Sequence, residues 1–318
     1  MLPANEPGRV SAASDAAPRA AVLLLVFNRP DVTARVFGAV RAARPPRLYL
    51  AADGPRPGRL PEAEACAAVR RLVLDGIDWP CTVHTRLLDD NRGCRRAVSE
   101  AISWFFEHEE AGIILEDDCL PDPTFFPYCE TLLHHYRHDT RVMHISGSTT
   151  LPGPARDPDY SYYFSGHAAI WGWATWRRAW QHYDVDSALL PELSRKRYFW
   201  RLFLNAWEER QLLPPLWDTH RGQLDTWDYQ WSFAVLAQSG LSITPAVNLI
   251  SNIGFGGNAT HTANAVHPWA NLPTRPLPLP LRHPPFMLRD NLSDHRRLRH
   301  LLRDKVVARL RHVAASVL

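Results

Sequence analysis

GIILEDDCLPDPTFF, residues 112–126, sets three carboxylates, Glu116, Asp117 and Asp118, directly behind a run of apolar side chains. A strand alternates its side chains, so Glu116 and Asp118 share one side while Asp117 faces the other, and only the exposed end of the strand can hydrate all three. Adjacent anions repel. A divalent cation bound by oxygen ligands, together with substrate hydroxyls, is the usual compensation for such a cluster. Beyond the triplet, Asp122 stands as a helix N-cap with Pro123 at the first helical position, so a helix N-terminus is expected beside the acids. The plain alternative is a solvated acidic turn.

The segments before the triplet give it a setting. AVLLLVF (21–27) is a continuous apolar run closed by NRP, as for a strand buried on both faces, and Pro30 then opens a helix with Val32, Val36, Phe37 and Val40 at helical spacing. RLYLAAD (47–53) repeats the strand pattern and stops at Asp53 before GPRPG, after which PEAEACAAVRRLVLD reads as a helix started by Pro61. CTVHTRLL (81–88) is a third strand, CRRAVSEAISWFFEH (94–108) a third helix and GIILEDD a fourth strand. This alternation predicts an α/β fold with an open, mostly parallel sheet covered on both faces. In such sheets ligands bind outside the carboxyl ends of the strands, where the triplet lies.

The second half differs. After RVMHISG (141–147) comes a Pro, Gly and Asp-rich loop, then a region, Trp171 to Trp231, holding nine of the twelve tryptophans. Residues 206–240 read as helical on both sides of a break at Pro214 and Pro215, and LSITPAVNLISNIGFGG returns to extended chain. The Pro-rich LPTRPLPLPLRHPP (272–285) reads as an extended surface strap. DHRRLRHLLRDKVVARLRHVAASVL (294–318) is a basic helix with Leu298, Leu302, Val306, Leu310 and Val317 on one face. Its arginine-rich side suits anionic lipid on one reading, and packing against the catalytic fold or a second subunit on the other. The expected organisation is a disordered segment 1–20, a catalytic domain 21–265 divided at 147/148, and the strap and basic helix over 266–318.

Composition limits the function classes. With 318 residues, 46% hydrophobic and 22% charged, the chain has material for a sizeable core. Thirty-six basic and thirty-three acidic residues, net +3, give no whole-chain reason to expect nucleic acid as a partner. Cys66, Cys81, Cys94, Cys119 and Cys129 are odd in number and form no CxxC pair, which favours free thiols. No run approaches the ~20 apolar residues of a membrane span, and MLPANEPGRVSAASDAAPRA lacks the apolar centre of a signal peptide. The expectation is a cytoplasmic protein.

IILEDDCLPDPTFFPYCETLL resembles the metal-binding segment of nucleotide-sugar-dependent glycosyltransferases with the GT-A fold, most closely the N-acetylglucosaminyltransferase I type and its bacterial relatives. The resemblance makes the triplet a variant of the DxD signature. It implies that Asp118 ligates Mn²⁺ (or Mg²⁺) on the donor diphosphate, that Asp117 contacts ribose or donor sugar, and that Glu116 supports the other two. VFNRP resembles the family's nucleotide-binding turn, implying Arg29 at the diphosphate or base. LAADG resembles the segment whose Asp meets uracil, here Asp53, and NRGCRRAVSEAI (91–102) another nucleotide-side segment.

The resemblance extends into the aromatic half. GHAAIWGWATWRRAW (166–180) is similar to a Gly and Trp-rich segment near the donor sugar, and Trp173 beside Gly172 is the sugar-contact candidate, whereas Trp176 and Trp180, four apart on an expected helix, suit the core. LDTWDYQW (224–231) resembles the segment carrying the catalytic base, with a single Asp228 where the family has an acidic pair. A carboxylate flanked by apolar rings has raised proton affinity and suits removal of the acceptor proton; Asp225 is the fallback. NIGFGGNATHT (252–262) resembles a flexible Gly-rich segment over the diphosphate, with His261 toward the metal.

The leading expectation is therefore a metal-dependent inverting glycosyltransferase, of the hexosyltransferase class, using a UDP-linked donor and a glycan or glycolipid hydroxyl. A sugar nucleotidyltransferase would need a Gly-rich, Lys-containing phosphate loop where FNRPD stands. A non-catalytic carbohydrate-binding relative is the third reading.

Overall fold

The computed structural model describes residues 19–151, 156–199, 203, 206–255 and 269–300. Residues 1–18 of the N-terminal segment, His261 and residues 301–318 of the basic helix lie outside them.

Strand and helix alternate through the first half: β1 Ala21–Val26, α1 Pro30–Ala43, β2 Arg47–Ala52, α2 Leu60–Asp75, β3 Thr82–Leu87, α3 Gly93–His108 and β4 Ala111–Glu116. There follow β5 Cys119–Pro121, α4 Phe125–His135, β6 Val142–Ser146, β7 Tyr162–Ser165, β8 Trp173–Trp176, β9 Leu241–Pro245 and β10 Ile250–Asn252. The large sheet runs β3-β2-β1-β4-β8-β6-β9-β7. Only β8 and β7 oppose the common direction, so the sheet is mostly parallel, as the alternation predicts.

The alternation within β1 shows why the sheet is sandwiched. Val22, Leu24 and Val26 enter one core with Val36, Phe37 and Val40 of α1. Ala21, Leu23 and Leu25 enter the other, with Ile102 and Phe105 of α3 and the rings of Trp173, Trp227 and Trp231. A run apolar at every position is what burial on both faces demands. Free cysteines Cys66, Cys119 and Cys129 are buried among these apolar side chains.

Three local expectations change. Helix α4 starts at Phe125 rather than Pro123, because the Asp122 carboxylate accepts from Thr124 N at 2.9 Å and Thr124 Oγ1 at 2.7 Å, forming an Asx turn instead of a cap. The helix Ala206–His220 runs through Pro214 and Pro215 without a break. Trp176 ends β8 instead of sharing a helix with Trp180, although both are buried.

The strap crosses the surface in extended form, held by Arg275 N to Asn248 O at 2.9 Å, Leu277 N to Thr124 Oγ1 at 3.0 Å and Arg282 N to Ser161 Oγ at 2.9 Å. Beyond it, Asp290 N donates to Phe164 O at 2.7 Å and covers part of the β7 edge.

His144 of β6 is fully buried, stacked on Trp173 at 5.0 Å. Its Nδ1 accepts from Trp231 Nε1 at 3.0 Å, which leaves Nε2 to donate to Ala169 O at 3.0 Å. The neutral ring is fully paired and a second proton has no acceptor, so burial pushes its pKa down to about 3. The folded value lies below the unfolded one. Stability from the neutral ring is therefore complete above about pH 6.5 and is lost as pH falls toward 3. Between pH 7 and 4.5 the native chain should lose about 3 kcal/mol more than His144→Gln, measured by urea unfolding. Parallel pH profiles of the two would remove His144 as the cause.

Candidate active site

Strands β1, β2 and β4 end together, and their carboxyl ends open into a cavity of about 650 Å³. Arg29, Asp53, Glu116, Asp117, Asp118 and Asp228 all line it. Register explains the meeting: Leu25 of β1 pairs with Glu116 of β4, so NRP and EDD leave the sheet at the same level.

Arg29 Nη2 donates to Asp117 Oδ1 and, at 2.7 Å, to Asp118 Oδ2, while Nη1 reaches Gly254 O at 3.4 Å. One guanidinium thus neutralises two adjacent acids. Burial disfavours its charge, but Asp117 and Asp118 outweigh this and raise its pKa. Asp117 Oδ2 also accepts from Phe27 N at 3.3 Å. Burial lifts the Asp117 pKa to about 6 against the opposing pull of Arg29. Glu116 is driven well above the usual carboxylate range, first by burial and then by the charges of Asp118, Asp117 and Asp228. Its Oε1 is buried with no hydrogen-bond partner. An unpartnered carboxylate oxygen at a cavity wall is a place for a ligand hydroxyl or cation.

The short pairing of β10 with β5 brings a second segment onto the acids. Asn252 pairs with Cys119, Ile253 N donates to Asp118 O at 2.9 Å, and Gly254 N to Asn252 Oδ1 at 3.0 Å. A Cβ at Gly254 would lie 2.0 Å from Asp118 Oδ2, so any larger residue there would push Asp118 from its place.

Asp53 and Asp225 hold the turn at residues 91–95 from two sides. Asp53 Oδ1 accepts from Arg92 N at 2.8 Å and Gly54 N at 2.9 Å, and its Oδ2 from Asn91 Nδ2 at 2.9 Å and Gly93 N at 3.2 Å. Asp225 Oδ2 and Oδ1 accept from Cys94 N at 2.9 Å and Arg95 N at 3.0 Å, satisfying the free N–H groups that begin α3. The fallback for the base is thus engaged as the cap of a distant helix. Gly93 at φ 77° permits this approach, since a Cβ there would lie 2.7 Å from Asp225 Oδ2.

Asp228 opens the helix Asp228–Ala237 and accepts a short hydrogen bond from Thr226 Oγ1. Its charge is felt at Glu116, Cys94 and Tyr183, and it lines the same cavity as the triplet. Trp227 beside it is buried and Tyr229 half-buried, giving the carboxylate the aromatic flanks its sequence suggests.

Trp173 is a correction. It is fully buried in β8, stacked at 5.6 Å on Trp227, and does not reach the cavity. The left-handed turn at Gly172, φ 57°, sends Trp173 inward and leaves Trp171 at the cavity wall, edge-on to Phe255 at 5.8 Å. The sequence also gave no signal for Arg56 and Arg86, which line the cavity and add positive charge. Arg86 pairs with Glu100 at 2.9 Å, and Arg56 is bound to Glu62.

The acids are hard oxygen donors, suited to Mg²⁺ or Mn²⁺ rather than to a thiophilic metal. Among the described residues no group of three His, Cys, Asp or Glu side chains is arranged to hold a metal ion. Asp117 and Asp118 nevertheless converge on one positive charge, and two carboxylates suffice for an ion that completes its shell with water and phosphate oxygens. The residues fit such an ion once Arg29 yields its place.

No family model matches the chain, nor does any curated protein. Among solved structures, HddC from Yersinia pseudotuberculosis is 12% identical, covering 50% of this chain and 77% of that one at a TM-score of 0.32. A UDP-glucose pyrophosphorylase complexed with UDP-glucose is 9% identical over 51% and 78%, TM-score 0.31. Mouse xyloside xylosyltransferase 1 is 12% identical over 68% and 81%, TM-score 0.33. At these scores the likenesses carry no argument about activity.

Proposed function

We propose that the chain is a divalent-cation-dependent glycosyltransferase that moves a sugar from a nucleoside diphosphate donor, of the uridine type, to a hydroxyl acceptor with inversion. The observation that carries this reading is the meeting, in the lining of one cavity, of a strand-end acid cluster and a carboxylate on a helix from the aromatic half. Asp118 and Asp117 would hold the cation, which supplies neutralisation of the leaving diphosphate. Arg29, released from the acids, meets phosphate oxygens with a fork suited to them. The clamped turn at residues 91–95 offers a rigid wall to the nucleotide. Asp228 takes the proton from the acceptor hydroxyl as that oxygen bonds to the anomeric carbon and the bond to the diphosphate breaks. His261 belongs to the proposal as a further group at the cation or diphosphate.

A panel of UDP, GDP and TDP sugars with Mn²⁺ tests the reading by thermal unfolding and slow donor hydrolysis. A cognate donor at a hundred times its Kd should raise Tm by about 4–5 °C. Absence of any stabilisation across the panel would sink the proposal. Release of pyrophosphate from a nucleoside triphosphate and a sugar phosphate would assign nucleotidyl transfer instead.

A further inference from the structure

Charge along the chain is uneven. Residues 282–318 hold nine Lys and Arg against three Asp, so this short end carries +6 while the whole chain carries +3 and the remainder is acidic. Its described part, the helix over residues 291–300, has two faces. The inner one is docked: Leu298 is buried, Arg297 Nε donates to Thr150 Oγ1 at 3.1 Å, and Asp294 accepts from Ser165 Oγ, Gly166 N and Arg289 Nε. The outer one carries Leu292, Arg296 and Arg299 at helical spacing, all exposed. Leu288 and Phe286 precede it, and exposures of 73% for Leu288, 59% for Leu292 and 44% for Phe286 are high for large apolar side chains so close together in sequence. Arg282 is exposed on the same approach.

We infer that the exposed face of residues 282–300 is a docking surface for an anionic lipid bilayer. Large apolar side chains interleaved with arginines match the acyl boundary and the headgroup layer together, whereas a nucleic acid would use the arginines and leave Leu288, Leu292 and Phe286 in water. Two of the local acids are already neutralised: Asp290 pairs with Arg156 at 3.2 Å, and Asp294 with Arg289 at 2.6 Å. Asp157 and Asp159 on the adjoining loop are exposed and moderate the attraction. Packing on the catalytic body and binding a membrane are therefore compatible, because opposite faces of one helix do the two jobs. The surface stands independently of the proposed chemistry.

Sedimentation of the full chain with vesicles of phosphatidylglycerol and phosphatidylcholine, against phosphatidylcholine alone, tests it at low and physiological salt. Binding to the anionic vesicles only, weakened by salt, is expected. Leu288→Glu/Leu292→Glu should weaken it by about tenfold, and Arg296→Glu/Arg299→Glu by about fivefold per residue. Thermal unfolding of each variant checks that the fold is intact, as these exposed positions allow. Three outcomes overturn the inference: no binding of the native chain at low salt, equal binding by the leucine variant, or a native dimer dissolved by that variant without vesicle binding. The last would assign the patch to a second copy.

Discussion

Asp228→Asn is expected to cut sugar transfer by about 10²–10⁴-fold while leaving donor affinity unchanged. The amide keeps the size of the carboxylate, its position at the start of the helix Asp228–Ala237 and an oxygen for Thr226 Oγ1. The negative charge and the ability to accept a proton are removed together. Transfer of labelled sugar gives kcat, and donor-induced stabilisation gives binding on the same protein. Asp225→Asn is the informative control, because Asp225 is occupied at the N-terminus of α3 and its change should lower stability before it lowers kcat. Full activity of Asp228→Asn would move the base elsewhere.

Arg29→Met should make the fold depend on a divalent cation. The native guanidinium neutralises Asp117 and Asp118, which are mostly buried, and beside them Glu116 already lacks a partner for Oε1. Removing one side of a buried ionic cluster costs about 3–5 kcal/mol. Mn²⁺ or Mg²⁺ at millimolar concentration should restore much of that loss in Arg29→Met, and EDTA should reverse it. The native chain without donor should respond less, because the ion must first displace Arg29. Asp118→Ala in the same background should abolish the response and, in the native background, cation-dependent turnover. Thermal unfolding with and without the ion decides this, and an Arg29→Met protein indifferent to Mn²⁺ would remove the acids as a cation site.

The first half of the fold was legible because its central strands are buried on both faces. AVLLLV and GIIL are apolar at every position, and each is followed by its polar turn at the sheet edge. The same logic placed Glu116, Asp117 and Asp118 at the cavity. What sequence reasoning missed depends on contacts remote along the chain. Asp53 and Asp225 grip one turn from 40 and 131 residues away, a separation no local pattern encodes. Trp173 was the sugar-contact candidate because it stands beside Gly172, and the sign of φ at that glycine decides which tryptophan faces the cavity. The helix through Pro214 and Pro215 defeats propensity: Leu216 and Phe233 bury together in a satellite core, and packing there outweighs the missing amide donors.

The contact at Gly254 sets how far the cavity can be remodelled. A side chain at that position would force Asp118 and Arg29 to shift, so the glycine there sets how closely the acids and the arginine pack against the backbone. Attempts to broaden sugar choice by saturation mutagenesis should therefore spare position 254 and vary the opposite wall. Trp171 and Leu224 line the cavity, and neither holds the acids in place.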